Sequence, residues 1–366
     1  MSTSSATAKT RGNYSIPAKL FCAIFTFLFS TVAVAQELDE ALFSAAQRGD
    51  TAQVHSLLEQ GADADAVVKR DSSPRTPMTV AITGGHLSIV QALVEAGADL
   101  DCTVRGEPTP LTAAAATGDQ YIVSYLLNAG ESPDHASRGD GSPLISAARR
   151  GHAAVVAQLL QADADPNLAV SGDGSPLIAA VRSGQAESVR LLLVAGADPN
   201  KGVRGDGSPL IAAVRQGNTA LVALLLDAGA NPDQGVRFDG SPLIAASRLG
   251  DLNMLTLLLE AGADANTSVP NDGNPLIGAI RQGSIETVKT LVAHGADVNR
   301  HVRHDDTPLI QAVRKQEATL VAYLIAEGAD VNRPGHFSGF RRRTPLNQAN
   351  SANQAIVEQL LAAGAR

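Results

Sequence analysis

Apolar residues recur along most of the chain at helical spacing, in pairs of short segments separated by polar, glycine-rich stretches. In one pair, Leu177, Ala180 and Val181 fall on one face of a helix. Val189, Leu192 and Leu193 fall on the apolar face of a second helix that follows directly. The pattern therefore predicts pairs of short helices, each with an apolar face that needs a neighbour to cover it.

Particular residues also predict where these helices begin and end. A Ser, Thr or Asn followed by Pro predicts an N-cap and a favoured first helical residue, because the cap oxygen accepts a free N–H and Pro has none to offer. Gly184 predicts the end of the first helix and Gly196 the left-handed residue after the second. Asp163 occupies the position of Gly196 in the preceding copy, and we expect it to adopt the same left-handed conformation at some cost.

This arrangement repeats every 33 residues through eight copies. The ten predicted units, including a degenerate first copy and a last copy after a longer interval, begin near residues 40, 76, 109, 142, 175, 208, 241, 274, 307 and 344. Because helices this short are marginal alone, neighbouring units must stack to build a core. We therefore expect one repeat array over residues 36–366.

The repeat resembles the ankyrin repeat in its period, its Thr-Pro-Leu start, the Leu-Leu of its second helix and its closing Gly-Ala-Asp. The resemblance covers about 90% of the chain and implies an all-α solenoid of about ten helix-turn-helix units joined by hairpin loops. Where the family commonly has His after Thr-Pro-Leu, this chain has isoleucine, which predicts an apolar ladder. Its members are Ile145, Ile178, Ile211, Ile244, Ile277 and Ile310.

Residues 1–35 have a different character. Lys9, Arg11 and Lys19 precede an uncharged apolar run over residues 20–35 that ends in Ala33-Val34-Ala35, the pattern of a secretory signal cleaved after Ala35. An uncleaved membrane anchor is the alternative, although this run is shorter than the roughly 20 residues that span a bilayer. Cleavage predicts a periplasmic or secreted protein without a membrane span.

Composition narrows the class of partner. Removal of residues 1–35 leaves 26 of the 29 basic residues against 37 acidic ones, a net charge of −11, which disfavours nucleic acid. Cys102 is then the one remaining cysteine, so no internal disulfide is expected. We expect Cys102 to be a small, partly buried loop residue rather than a reactive thiol.

Catalytic and metal-binding motifs are absent from the sequence. It contains no His-Glu-x-x-His, no phosphate-binding loop, no Gly-x-Ser-x-Gly and no Cys-x-x-Cys. His301, His304, Asp305 and Asp306 lie in one loop, and a solvated loop is favoured there over a metal site. We therefore predict neither enzymatic activity, nor a cofactor, nor a metal.

The candidate binding residues are arginines at the end of the first helix in six consecutive units. We call Arg149, Arg182, Arg215, Arg248, Arg281 and Arg314 the arginine row. The resemblance implies that this position faces a concave, partner-binding groove. A second set, the hairpin arginines, would border that groove: Arg105, Arg138, Arg204, Arg237 and Arg303. With helices about 8–10 Å apart, the row would extend roughly 50 Å.

The arginine row has two interpretations. Each loop also carries one of the hairpin aspartates, Asp140, Asp173, Asp206, Asp239, Asp272 and Asp305, and these could pair with the arginines and leave the groove nearly neutral. Alternatively, the arginines bind a protein or an acidic peptide, since guanidinium matches carboxylates with two parallel hydrogen bonds. An anionic cell-envelope polymer and a secreted effector role are further alternatives to a protein-interaction scaffold.

Overall fold

The computed structural model describes residues 34–70, 73–101, 106–136, 139, 141–202, 207–236, 240–269, 273–300, 306–335, 343–349 and 353–366. The predicted signal peptide lies outside these residues except for Val34 and Ala35, which are helical and exposed. The chain divides into an N-terminal body, up to Glu107, and a C-terminal body, from Pro108 to Arg366.

The N-terminal body contains two helix pairs and a hairpin. In chain order its elements are α1 (residues 34–48), α2 (Thr51–Glu59), β1 (Val68–Arg70), β2 (Ser73–Arg75), α3 (Pro77–Thr83) and α4 (Leu87–Glu95). Strands β1 and β2 are antiparallel, with Val68 opposite Arg75. Helix α4 packs on both α2 and α3, and α1 contributes the fully buried Leu42 and Phe43 to the core.

The C-terminal body repeats one helix pair eight times over its described residues. The first helices of the repeats are α5 (Pro110–Thr117), α7 (Pro143–Arg150), α9 (Pro176–Arg182), α11 (Pro209–Arg215), α13 (Pro242–Leu249), α15 (Pro275–Gln282), α17 (Pro308–Lys315) and α19 (Pro345–Gln348). The second helices are α6 (Gln120–Asn128), α8 (Ala153–Gln161), α10 (Ala186–Val194), α12 (Thr219–Asp227), α14 (Leu252–Glu260), α16 (Ile285–Ala293), α18 (Ala318–Ala326) and α20 (Gln354–Ala362). Each first helix packs on the next, from α5 to α19. The predicted all-α fold of about ten helix pairs with hairpin loops is confirmed.

The predicted helix starts are also confirmed. Ser175 lies in extended backbone before α9, and its Oγ accepts the N–H of Ile178 at 3.3 Å, with Pro176 at the first helical position. The same capping geometry begins every first helix from α3 to α19. All six isoleucines of the predicted apolar ladder are at most 1% exposed. Isoleucine at this position therefore adds apolar core where the family pattern has a polar ring.

The second helices end as predicted in a left-handed residue. Gly196 has φ of +89° after α10, and Asp163 takes the same role after α8 with φ of +63°. A side chain at this position costs about 1–2 kcal/mol because its Cβ approaches a backbone carbonyl, a cost that Asp reduces but does not remove. We therefore predict that the junction after α8 is less stable than its neighbours.

A ladder of loop side chains joins successive repeats. Asn200 Oδ1 accepts the N–H of Asn231 at 2.7 Å, and its Nδ2 donates to the carbonyl of Gly229 at 3.1 Å. Asn167, Asn266 and Asn299 make the same two bonds. Asp233 keeps the first bond, to the N–H of Asp264 at 2.9 Å. A carboxylate has no N–H to donate, so the second bond cannot form there.

Replacing Asp163 with glycine should raise the free energy of unfolding by about 1 kcal/mol, because glycine adopts the left-handed region without a Cβ penalty. The midpoint of urea denaturation is the measurement. The reverse change, Gly196→Asp, is the matched control and should lower stability by a similar amount, since a Cβ at Gly196 meets no atom within 4 Å. An unchanged or lowered midpoint for Asp163→Gly contradicts the prediction.

Replacing Asp233 with asparagine should stabilise the C-terminal body by about 0.5–1.5 kcal/mol, the net value of one hydrogen bond. The new amide can donate to the carbonyl of Gly262, which follows the C-terminus of α14, where a carboxylate is also disfavoured by the helix dipole. Asn266→Asp should remove the bond to Gly295 and lower the urea midpoint. Equal midpoints for both variants and wild type would show that the ladder contributes nothing.

Candidate functional site

The arginine row lies where the first helices reach the surface. In α9, all six residues from Pro176 to Val181 are buried, and Arg182 is the first exposed one. Helix α11 is built in the same way and ends in Arg215. The remaining members, Arg149, Arg248, Arg281 and Arg314, are also exposed residues in the last turn of their helices. A first helix therefore presents almost only its arginine end to solvent.

Arg149 shows how one of these arginines is held. Its Nη2 donates to Oδ1 of Asp173 at 2.9 Å, and Asp173 belongs to the hairpin 24 residues later. The Arg149 side chain remains 42% exposed, whereas the Asp173 side chain is only 9% exposed. The ion pair is neutral as a whole, but its anion lies beneath its cation.

The burial of Asp173 bears on whether pairing with the hairpin aspartates removes the positive charge from the surface. In one of the two interpretations, pairing with the hairpin aspartates leaves the groove nearly neutral. At Arg149, the buried carboxylate instead orients a guanidinium whose outer side faces solvent. Guanidinium has five N–H donors, so the bond to Asp173 leaves donors for another carboxylate.

The other predicted residues are only partly covered by the described structure. Arg182, Arg215, Arg248 and Arg281 are exposed and also engage partners within the protein. Of the hairpin aspartates, Asp173 is described. All five hairpin arginines, Arg105, Arg138, Arg204, Arg237 and Arg303, lie outside the described residues, as do Cys102, His301, His304 and Asp305.

The last regular repeat has a different arrangement. Arg314 Nη1 donates to Oδ2 of Asp306 at 2.9 Å, and Arg343 Nη1 donates to the same oxygen at 3.3 Å. Asp306 is buried, with 3% of its side chain exposed, while Arg314 is 50% and Arg343 is 31% exposed. Two guanidinium groups thus share one carboxylate, so positive charge exceeds negative charge by one among these three described side chains.

Three basic residues beside the row were missed by the sequence reasoning. Arg150 and Lys315 follow Arg149 and Arg314 directly and are likewise exposed in the last helical turn. Basic residues are favoured there by the helix dipole, and this rule could have identified both. Arg343 directly precedes Thr344, at the position that glycine holds in five earlier repeats, so the repeat pattern gave no reason to expect a binding arginine there.

Other polar groups with unusual surroundings serve the fold. Burial raises the pKa of Glu107 above its ordinary range, against the effect of hydrogen bonds from the Thr79 hydroxyl and the Thr76 N–H. A raised pKa can mark a functional carboxyl, but both donors belong to the start of α3, so Glu107 caps a helix. The His152 ring donates to the Ala116 carbonyl at 3.1 Å and covers Gly118, which is a structural contact.

Metal-binding groups and membrane-spanning helices can be assessed over the described residues. Within that part of the chain, no three His, Cys, Asp or Glu side chains are grouped so as to hold a metal ion. Within the same residues, no helix has both the length and the apolar content needed to cross a bilayer.

Comparisons with known proteins show similarity to ankyrin repeats along the chain. The family model described as ankyrin repeats (3 copies) matches residues 24–104, 42–137, 100–170, 130–203, 177–269, 210–302, 243–334 and 276–366. The crystal structure of the human ASB11 ankyrin repeat domain is similar, with 27% sequence identity and a TM-score of 0.50 over 62% of this chain and 99% of that domain.

A curated relative from Mus musculus, the 2-5A-dependent ribonuclease, is 43% identical over 63 residues. This stretch is 17% of the present chain and spans 8% of the length of the ribonuclease, so the activity in that protein's name is not assigned here. The ankyrin family is typically one of non-catalytic modules that bind proteins. With overlapping matches from residue 24 to residue 366, the chain belongs to the ankyrin repeat family.

Proposed function

We propose that this protein is a non-enzymatic scaffold, in the periplasm or outside the cell, that binds an acidic segment of a partner protein along the arginine row. The observation that carries the proposal is the Arg149–Asp173 pair, in which the cation is exposed and the anion is buried. The same spacing of 24 residues separates Arg182 from Asp206 and Arg215 from Asp239 in the sequence.

The buried aspartate makes the arginine a stable docking point. Displacing Asp173 would leave a carboxylate with little access to water and without its cation, which is strongly unfavourable. A ligand carboxylate therefore gains most by adding to the pair on its exposed side. In this arrangement Asp173 fixes the guanidinium, and less side-chain entropy remains to be lost on binding.

The repeat spacing indicates the form of ligand that fits. First helices packed about 8–10 Å apart would place neighbouring arginines at a similar interval. A polyproline II segment presents the same face every three residues, or about 9.3 Å. Acidic side chains at every third position of such a segment would meet successive arginines. A fluorescein-labelled (Glu-Pro-Pro)₆ peptide is therefore a suitable probe, with (Gln-Pro-Pro)₆ as its neutral control.

The double variant Arg182→Gln, Arg215→Gln should weaken binding of (Glu-Pro-Pro)₆ about tenfold, as expected for losing two partly exposed ion pairs. Fluorescence anisotropy at low salt measures the Kd, and the difference should shrink as salt rises.

The matched control is Arg190→Gln, Lys289→Gln, which removes the same charge from two second helices. It should change the Kd less than about twofold. Equal weakening by both double variants would reduce the effect to net charge and contradict a binding site in the row. Co-sedimentation with purified cell wall, without peptide binding, would instead favour the envelope polymer.

The proposed location rests on residues 1–35, with their basic start, apolar run and Ala33-Val34-Ala35. Amino-terminal sequencing of the protein recovered from the periplasmic fraction or the medium should begin at Gln36. Ala33→Leu should block this cleavage because signal peptidase requires small side chains there. Recovery in the cytoplasmic fraction with residues 1–35 intact would contradict the assignment.

A further inference from the structure

The cluster formed by Arg314, Arg343 and Asp306 differs from the pair at Arg149 in charge. At Arg149, one guanidinium meets one carboxylate, and the charges cancel. At Asp306, two guanidinium groups meet the same carboxylate oxygen, which leaves one positive charge unbalanced by that carboxylate. We call these three residues the terminal cluster.

The sequence explains why the terminal cluster departs from the repeat. Counting 24 residues from Arg314 gives Ser338, so the hairpin that follows has no aspartate at the position that Asp173 holds relative to Arg149. Asp306 stands where the five preceding repeats have glycine, namely Gly141, Gly174, Gly207, Gly240 and Gly273. The carboxylate thus comes from the hairpin before α17, and Arg343 arrives from the segment that follows.

The backbone around Arg343 holds it in this position. The Gly335 N–H donates to the Arg343 carbonyl at 2.8 Å. Gly335 also lies against Asp306, because a Cβ at Gly335 would come within 2.5 Å of Asp306 Oδ1. Any side chain at residue 335 would therefore push the carboxylate away from the two arginines.

The cluster combines a buried anion with two partly exposed cations. Each guanidinium uses one N–H on Asp306, and its planar fork of five donors can address a further carboxylate on its outer side. Nearby Lys315 lies in the last turn of α17, and its Nζ donates to the Arg281 carbonyl at 2.8 Å. A further cation thus lies beside Arg314 in the last turn of the same helix.

We propose that the terminal cluster is the strongest anchoring point for the acidic peptide segment, with Arg314 and Arg343 binding one of its carboxylates and Asp306 acting as a positioning residue. This inference rests on the proposed function, because it assigns a carboxylate-bearing partner to one end of the arginine row. It adds Arg343, which the repeat pattern does not predict, to the binding residues.

The test uses the full chain and the (Glu-Pro-Pro)₆ probe. Arg343→Gln should raise its Kd about fivefold, the upper range for a partly exposed ion pair. Arg149→Gln, at the neutral pair, should raise it less. Arg190→Gln serves as the control for net charge and should change it less than about twofold. Circular dichroism checks that each variant retains its helices.

A second variant tests whether the terminal cluster binds the probe through its positive charge or only stabilises the fold. Asp306→Asn keeps an oxygen that can accept from both guanidinium groups and so keeps their position, but it removes the negative charge. It should therefore lower the Kd of the probe about twofold or more, because the two arginines lose their anion. A purely structural role for the cluster predicts an unchanged or higher Kd for this variant, and that result overturns the inference.

The two proposals fail in different ways. If Arg343→Gln binds like wild type while Arg182→Gln, Arg215→Gln is weakened, the terminal cluster is not the anchor and the scaffold function stands. If neither variant is weakened, both proposals are wrong. If Arg343→Gln and Arg190→Gln weaken binding equally, the effect is one of net charge, and the cluster is not a site.

Discussion

Stacking of first helices that are too short to exist alone is the constraint on which this protein depends. Helix α9 has seven residues, six of them buried, and a helix of this length is marginal in water. Its stability must come from neighbours that bury its sides, as α7 and α11 do. The cap by Ser175 and Pro176 sets where each helix begins, so the same surfaces meet in every repeat.

That constraint also decides where a binding surface can be. A first helix surrounded by other helices has little side-chain surface left, and in α9 and α11 what remains is the C-terminal arginine. The helix dipole favours a cation at this end. Stacking therefore leaves this helix end as the exposed position, six consecutive repeats place an arginine there, and at Arg149 a hairpin carboxylate neutralises it.

The fold could be predicted almost completely from the sequence, because one local signal is repeated in register. Ser or Thr before Pro marks helix starts, and Asp163 takes the left-handed conformation that its place in the repeat requires. The site could be predicted only in part. The row itself follows from periodicity, but the burial of Asp173 beneath Arg149 depends on how a hairpin packs on the preceding helix. The contact between Arg343 and Asp306 spans the one longer interval between predicted starts in this region, so it does not follow from the regular spacing.

Asp233 interrupts a run of asparagines in the inter-repeat ladder, and this has a consequence for how the array unfolds. Asn200 ties its repeat to the next by two hydrogen bonds, whereas Asp233 makes only the one that a carboxylate can accept. In a linear array, cooperativity is only as strong as the weakest interface between neighbours. Thermal opening or mechanical extension would then begin at the interface held by Asp233, so the repeats on its two sides would unfold as separate blocks.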